Sequence, residues 1–304
     1  MNRKTFELIE SDFIDIQNCP LCGYIHRHVL RTQKNISIYK EIYPQYSLIV
    51  PESFTNRELL RCQFCGHVYW GKIPNLESLP SYKDEIIEYN FNESRKLKEK
   101  ANLINDLLIE TGNNGVIVDI GTCRGELLFE IRKINSEATL LGIEPSLHLN
   151  DNINNIKIIK SLFNSGIPID KKSVSVFSAF DCFEHMPKLN EAFESVNLFI
   201  KNNGYLYIET PNGDYYFNNL IGRNNINLFW IEHLSFLTRD SIQYICDKYG
   251  YDIVSIENST YIKNNHIQRI RSMISSLFKY KVIGFDSPVY INCKDHLKII
   301  IRKK

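Results

Sequence analysis

Apolar residues recur along this chain in two rhythms, and the switch between them marks its organisation. From Ser81 to Glu110 they fall at helical spacing: Ile86, Ile87, Tyr89, Leu97, Ala101, Ile104, Leu107 and Leu108. The run from Thr111 to Gly115, with two glycines and two asparagines, ends that helix. Short continuous apolar runs then alternate with helical stretches. Val116–Ile120, Thr139–Ile143, Ile156–Ile159, Val174–Phe180 and Gly204–Glu209 read as strands. Helices are predicted from the turn after Ile120 through Ile134, over Leu189–Lys201 and over Asp240–Lys248. Tyr251–Glu257 and Leu297–Arg302 read as a closing antiparallel pair, separated by an insertion of roughly 266–292 that carries a helical segment, Ile267–Phe278. This repetition predicts an α/β fold: a doubly wound, mostly parallel seven-stranded sheet covered on both faces, with an antiparallel last strand.

Residues 1–80 lack that rhythm. They hold two copies of one device, Cys19-Pro20-Leu21-Cys22-Gly23 and Cys62-Gln63-Phe64-Cys65-Gly66, and the stretch Ile73–Pro80 reads as an exit linker. In each copy a tight turn lets both sulfurs face one point, and four thiolates around one ion make a closed, structural zinc site. The expected division is a small zinc-ribbon-like module over 1–80 and a second domain over 81–304. The 39-residue gap between the pairs requires the intervening chain to fold back as strands, with Ser47–Val50 one candidate. His26, His28 and His67 lie near, but Cys19, Cys22, Cys62 and Cys65 already complete the set. A redox dithiol fits less well, because the pairs are duplicated and neither follows a strand at a helix start. The remaining cysteines, Cys123, Cys182, Cys246 and Cys293, sit singly in apolar surroundings and read as buried thiols.

The first strand carries the chemistry. Val116-Ile117-Val118-Asp119-Ile120 runs into Gly121-Thr122-Cys123-Arg124-Gly125 and then an apolar helix start. Glycines let a backbone turn approach a ligand, and the helix that follows presents unpaired N–H groups. After the next strand, Glu144 stands where a carboxylate can hold a pair of ribose hydroxyls, with Pro145 behind it. The spacing is not the G-x-G-x-x-G of a dinucleotide site, and an acid at Asp119 disfavours a diphosphate while suiting a cationic ligand.

At these residues the chain resembles the class I S-adenosylmethionine-dependent methyltransferases, with Cys123 in place of a usual glycine of their first motif. The segment Phe177–Pro187, which contains Glu184-His185, resembles their fourth motif. The resemblance implies that Phe180 and Asp181 lie near the methionine part of the donor, that Leu162 and Phe163 pack against its adenine, and that His185 lies toward the acceptor. Paired C-x-x-C motifs ahead of this core, with Glu232-His233 before a helix capped by Thr238, look like the zinc-containing methyltransferases of nucleotide-linked sugars. There the Glu-His pair after strand five is the proposed proton-abstracting machinery for C-methylation, which makes Glu232 and His233 acid/base candidates beside His185. A Glu-His pair can equally be a structural hydrogen-bonded unit, and Trp230, Phe229 and Phe236 around the second pair can simply pack. The resemblance covers most of residues 15–260. The C-methylating relatives carry a further carboxyl-terminal domain without a counterpart in these residues, so transfer to a sugar hydroxyl or another small acceptor is comparably expected.

Charge adds one constraint. Lys+Arg 36 against Asp+Glu 35 leaves a formal net charge of +1, which gives no reason to expect nucleic acid as a partner. No apolar run reaches bilayer length and Met1-Asn2-Arg3-Lys4-Thr5 lacks an apolar signal core, so the expectation is a soluble cytoplasmic protein without a membrane span. An RNA or protein methyltransferase that uses the zinc module for recognition, a non-catalytic module that binds the adenosyl donor, and an NAD-dependent sugar enzyme are the rival readings.

Overall fold

The computed structural model describes residues 4–32, 46–79, 94–112, 115–145, 152–153, 156–218, 228, 230–259 and 294–304. The predicted helical stretch before Ser94 and the whole 266–292 insertion, including Ile267–Phe278, lie outside the described residues.

The amino-terminal strands are β1 (Lys4–Glu7), β2 (Phe13–Asp15), β3 (Arg27–Thr32), β4 (Tyr46–Ile49), β5 (Glu58–Cys62), β6 (Val68–Trp70) and β7 (Lys72–Pro74), with a one-turn helix α1 (Glu52–Thr55) before β5. The main sheet follows from β8 (Val116–Ile120), β9 (Thr139–Ile143), β10 (Asn152–Ile153), β11 (Ile156–Ile159), β12 (Val174–Phe180) and β13 (Ile200–Pro211). After them come β14 (Ser235–Phe236), which joins a different sheet, then β15 (Tyr251–Ser259) and β16 (His296–Lys303). Among the described residues the main sheet has eight strands, in the order β10-β11-β9-β8-β12-β13-β16-β15. The five from β11 to β13 run parallel; β16 is antiparallel to both its neighbours, as the closing pair predicted. The count differs from the expected seven because Asn152–Ile153 folds back antiparallel on β11, a two-residue addition too short to leave a period in the sequence.

Period-two alternation on the central strands explains the layers. Ile117, Val176, Tyr205 and Tyr207 point to one face, where they meet Ala101, Ile104, Leu107 and Leu108 of α2 (Ser94–Glu110) and Leu127, Leu128 and Ile131 of α3 (Glu126–Ile134). Val118, Phe177, Ala179, Leu206 and Ile208 point to the other, against Leu189, Phe193, Val196 and Phe199 of α4 (Leu189–Phe199). A short helix, α5 (Gly213–Asn218), follows β13. The last helix, α6 (Arg239–Tyr249), adds Ile242 and Ile245 to that second face. Its ends follow the sequence: Thr238 caps the start by accepting from the Ser241 N–H at 3.1 Å, and Gly250 closes it at φ 70°.

A four-stranded sheet, in the order β14-β6-β5-β3, joins the amino-terminal strands to the segment after β13. Its edge strand Ser235–Phe236 pairs antiparallel with Val68–Tyr69 although it follows the main sheet's fifth parallel strand in sequence. Trp70 N–H donates to Leu234 O at 3.0 Å, and the Thr238 hydroxyl donates to Gly66 O at 3.1 Å. Phe54, Leu59, Val68, Trp70 and Ile73 share a buried cluster with Tyr216, Leu228, Ile231, Leu234 and Phe236. The amino-terminal strands therefore hold the segment 228–238 by backbone pairing and by core packing.

Candidate active site

The site lies at the carboxyl edge of the parallel strands, where this architecture places ligands. The turn after β8 is built by three left-handed residues, Gly121 at φ 71°, Cys123 at φ 49° and Gly125 at φ 77°, the last acting as the N-cap of α3. Gly121 N–H and Thr122 N–H both donate to Ile143 O, at 2.8 and 3.2 Å, which seats the turn on β9. A Cβ at Gly121 would lie 2.7 Å from Cys182 Sγ, so only glycine lets the loop after β12 come this close. Glu144 Oε2 accepts from the Cys123 N–H at 3.0 Å, which fixes a carboxylate beside the turn, with Pro145 half-buried behind it. Asp119 lies beneath, 4% exposed, and accepts from the Ser178 hydroxyl at 2.6 Å. Burial pushes its carboxyl up to about 6 despite that bond, so Asp119 braces the strand ends more than it offers charge to a ligand. Leu162 is exposed at the rim, whereas Phe163 turns inward onto Phe177, ring centroids 5.8 Å apart.

The loop after β12 forms the next wall. Phe180 meets Tyr207 edge-on and lies under Lys100 Nζ, which is 3.9 Å from its ring centre and 2.8 Å from Glu209 Oε2. Asp181 is at φ 46°, its N–H held by Glu209 O at 2.9 Å. Its carboxylate Oδ1 lies 3.3 Å from His296 Nε2. Burial opposes charge on His296, but the hydrogen bonds and charges of Asp181 and Asp295 hold it up at about 10. The same partnership lowers Asp181 against the effect of its own burial. His296 reaches this edge because its strand is antiparallel: the first residue of β16 pairs with Pro211, the last of β13.

Opposite the glycine turn, the two Glu-His pairs of the sequence converge. Glu184 and His185 stand on a single 3-10 turn, Phe183–His185. Leu234 N–H donates to Glu184 O at 2.8 Å, and His185 Nδ1 contacts Glu232 O at 2.9 Å, so the two segments are fastened to each other. The His185 and His233 rings meet edge-on with centroids 4.9 Å apart. Glu184 is 1% exposed, accepts from the Thr210 hydroxyl at 3.0 Å, and is pushed up to about 8 by burial and by the charge of Asp181. Burial lowers His185, partly offset by Glu232, which favours the neutral imidazole a proton acceptor needs. Glu232 itself is buried.

The four cysteines also come together. Cys19 and Cys65 sulfurs lie 3.6 Å apart, Cys22 and Cys62 sulfurs 3.5 Å, and all four are within 4.8 Å of one another. A tetrahedral ion with Zn–S bonds of about 2.3 Å requires sulfurs roughly 3.8 Å apart, so the set fits. Each turn closes the same way: Gly23 N–H to Cys19 O and Gly66 N–H to Cys62 O, at φ 77° and 71°. A hydrogen bond from Cys65 holds Cys19 down to about 6, while burial raises Cys22 to about 12, a cost that a cation sharing the thiolate charge would offset.

Glu184 has no separate role in the sequence motif that contains it, and no local motif singles out Lys100, Thr210 or His296. For His296 the available signal was the rule that an antiparallel closing strand begins at the ligand edge.

A family described as a methyltransferase domain matches residues 91–256. That span is more than half of the chain and contains the glycine turn, Glu144, the Phe180–His185 loop and Glu232-His233. The chain belongs to this family of methyltransferases, and its sheet is that of the class I enzymes, which draw their methyl group from S-adenosylmethionine. No protein of curated function matches the sequence. Among solved structures, the chain is similar to YcgJ of Bacillus subtilis, at 12% identity and a TM-score of 0.47, covering 67% of this chain and 99% of that one. It is similar to a SAM-dependent methyltransferase of Archaeoglobus fulgidus at 16% identity and a TM-score of 0.44, covering 68% and 94%. The geranyl diphosphate C-methyltransferase of Streptomyces coelicolor A3(2) gives 15% identity and a TM-score of 0.45, covering 67% and 77%. Likenesses at this level carry no argument about acceptor or mechanism.

Proposed function

We propose that this protein methylates a sugar or a sugar-nucleotide or polysaccharide precursor, at a hydroxyl or at an acidic carbon. The observation that carries the proposal is the convergence of Glu184-His185 and Glu232-His233 at the same sheet edge as the glycine turn. Bound S-adenosylmethionine supplies a methyl carbon on a good leaving group, so the protein's task is mainly alignment and proton removal. Gly121, Thr122, Cys123 and Gly125 shape the donor turn, with Asp119 bracing it from below. Glu144, already ordered by the Cys123 N–H, is the ribose carboxylate, backed by Pro145. Leu162 is offered to the adenine from the rim, with Phe163 supporting it from the core side. Phe180 and Asp181 border the methionine part of the donor, and His296 holds the Asp181 carboxylate in its charged form. Glu232, with His185 and His233 beside it, removes the acceptor proton. Sugar as the acceptor class is supported by the resemblance of the paired cysteine motifs and the Glu232-His233 segment to the zinc-containing sugar methyltransferases.

We assign Cys19, Cys22, Cys62 and Cys65 to a structural zinc ion in a module over residues 1–80, with the catalytic domain over 81–304. The module's part in catalysis is positional, since β6 carries β14 and through it Glu232 and His233. No helix among the described residues is long and apolar enough to cross a membrane. A four-thiolate site also suits a reducing compartment, which supports a cytoplasmic enzyme. The test is turnover with labelled methyl donor against a panel of nucleotide sugars and glycans. Methylation of at least one, lost on Glu232→Gln with donor binding intact, is the expected result. Transfer only to RNA or protein acceptors would overturn the assignment.

A further inference from the structure

We propose that Glu184, His185 and His233 form a second cation site, open to ligands, beside Glu232 at the carboxyl edge of the parallel strands. Their donor atoms lie within 4.8 Å of one another. Tetrahedral bonds of roughly 2.1 Å place donors about 3.4 Å apart, so the three side chains draw together by about 1.4 Å at most to close around one ion.

Two features of the cluster point to a cation. The first is the Glu184 carboxyl, which is 1% exposed. Its Oε2 accepts from Thr210, while Oε1 is buried with no hydrogen-bond partner among the described residues. A buried carboxylate oxygen without a partner is costly, and a positive ion among the three side chains satisfies it. The second is the orientation of His185. Its Nδ1 contacts a backbone carbonyl, Glu232 O, at 2.9 Å. A carbonyl only accepts, so Nδ1 carries the proton and donates, and Nε2 carries the lone pair. That arrangement, with one ring nitrogen tied to a carbonyl and the other free to bind, is how proteins orient an imidazole toward a metal.

The site is also braced. Besides the Nδ1 contact, the Leu234 N–H to Glu184 O bond ties the segment bearing His233 to the turn bearing the other two ligands. Two imidazoles and one carboxylate select a divalent transition ion such as zinc, manganese or iron, and they leave coordination positions for ligand oxygen. The cysteine cluster, by contrast, has all four positions filled by sulfur. The role of the second site rests on the methyltransferase reading: a cation there binds an oxygen of the acceptor and makes its proton easier to remove, leaving Glu232 as the base. The existence of the site does not depend on that reading.

The experiment is a titration of the purified, zinc-containing full chain with Mn2+, followed by the resonance of the free ion, and in parallel with Co2+, followed by its visible bands. Mn2+ does not compete for thiolates. Wild-type protein is expected to take up one further ion per chain, with Co2+ bands free of thiolate charge transfer. Glu184→Gln and His233→Gln are expected to weaken uptake at least tenfold while retaining the cysteine-bound zinc. His233 is only half-buried, so its variant serves if Glu184→Gln fails to fold. No uptake of either ion by wild type, or equal uptake by wild type and variants, overturns the proposal. Calorimetry with the donor separates the two claims: donor binding without ion uptake defeats this site alone, and ion uptake without donor binding defeats the methyltransferase reading alone.

Discussion

Replacing Cys62 with Ser should disable turnover from a distance. Cys62 ends β5, and its loss opens a tetrahedral set whose metal contributes about 10–16 kcal/mol in small zinc modules, as much as a whole domain's stability. Three links pass the damage on. They are the β6–β14 ladder, the Trp70 N–H to Leu234 O bond and the Thr238 hydroxyl to Gly66 O bond. At about 1 kcal/mol each, their loss removes about 3 kcal/mol of preference for the ordered 230–238 segment. At about 1.4 kcal/mol per tenfold, turnover should fall roughly 100-fold. The donor turn is seated instead on β9 through Gly121 and Thr122, so donor affinity should change by less than about threefold by the same reasoning. Elemental analysis, calorimetry with donor and steady-state turnover on one preparation read the three quantities. Loss of zinc with full turnover, or full zinc in the variant, would refute the relay.

Further outcomes follow from single positions. Gly121→Ala places a Cβ 2.7 Å from Cys182 Sγ at φ 71°, and should weaken donor binding at least tenfold by calorimetry; unchanged affinity would remove the turn from the donor site. Thr238→Ala deletes the α6 cap and the bond to Gly66, and should cost about 1–2 kcal/mol, read as a lower Tm. His296→Gln tests the ion pair with Asp181 by pH. His296 is raised from 6.5 to about 10, so its contribution to stability is complete below its ordinary value and fades as pH rises through about 10. Asp181 is lowered, so its contribution fades only as pH falls through its folded value. The wild-type advantage in Tm should be largest below about pH 6.5, decline as pH rises above it and vanish near pH 10; no advantage at pH 6 would contradict the pairing.

The parts of the fold that are legible in sequence are those whose signal is local. Val116–Ile120, Thr139–Ile143, Ile156–Ile159 and Val174–Phe180 match the structure residue for residue, because each is an apolar run bounded by polar or turn residues. The helix caps at Thr238 and Gly250 have equally local causes. The fifth parallel strand is longer than its apolar run: Ile200 already pairs with Val174, and polar Lys201, Asn202 and Asn203 hide that start. The pairing of Ser235–Phe236 with Val68–Tyr69 has no local signature, since each segment is two or three residues of strand whose partner is remote in sequence. At the site, the glycine turn and both Glu-His pairs were readable as motifs. That the pairs would meet was not, because it depends on one segment being hung from the amino-terminal sheet. His296 has only the general signal of an antiparallel strand starting at that edge: its strand's apolar pattern begins at Leu297, and the register with Pro211 is what brings His296 to Asp181.

The most direct measurement is titration calorimetry of the purified chain with S-adenosylmethionine, its demethylated product and NAD. One saturable site for both adenosyl compounds, weakened at least tenfold in Glu144→Ala, with no heat from the dinucleotide, is the predicted result. Silence with both adenosyl compounds, or saturable binding of the dinucleotide in their place, would contradict the account at its foundation.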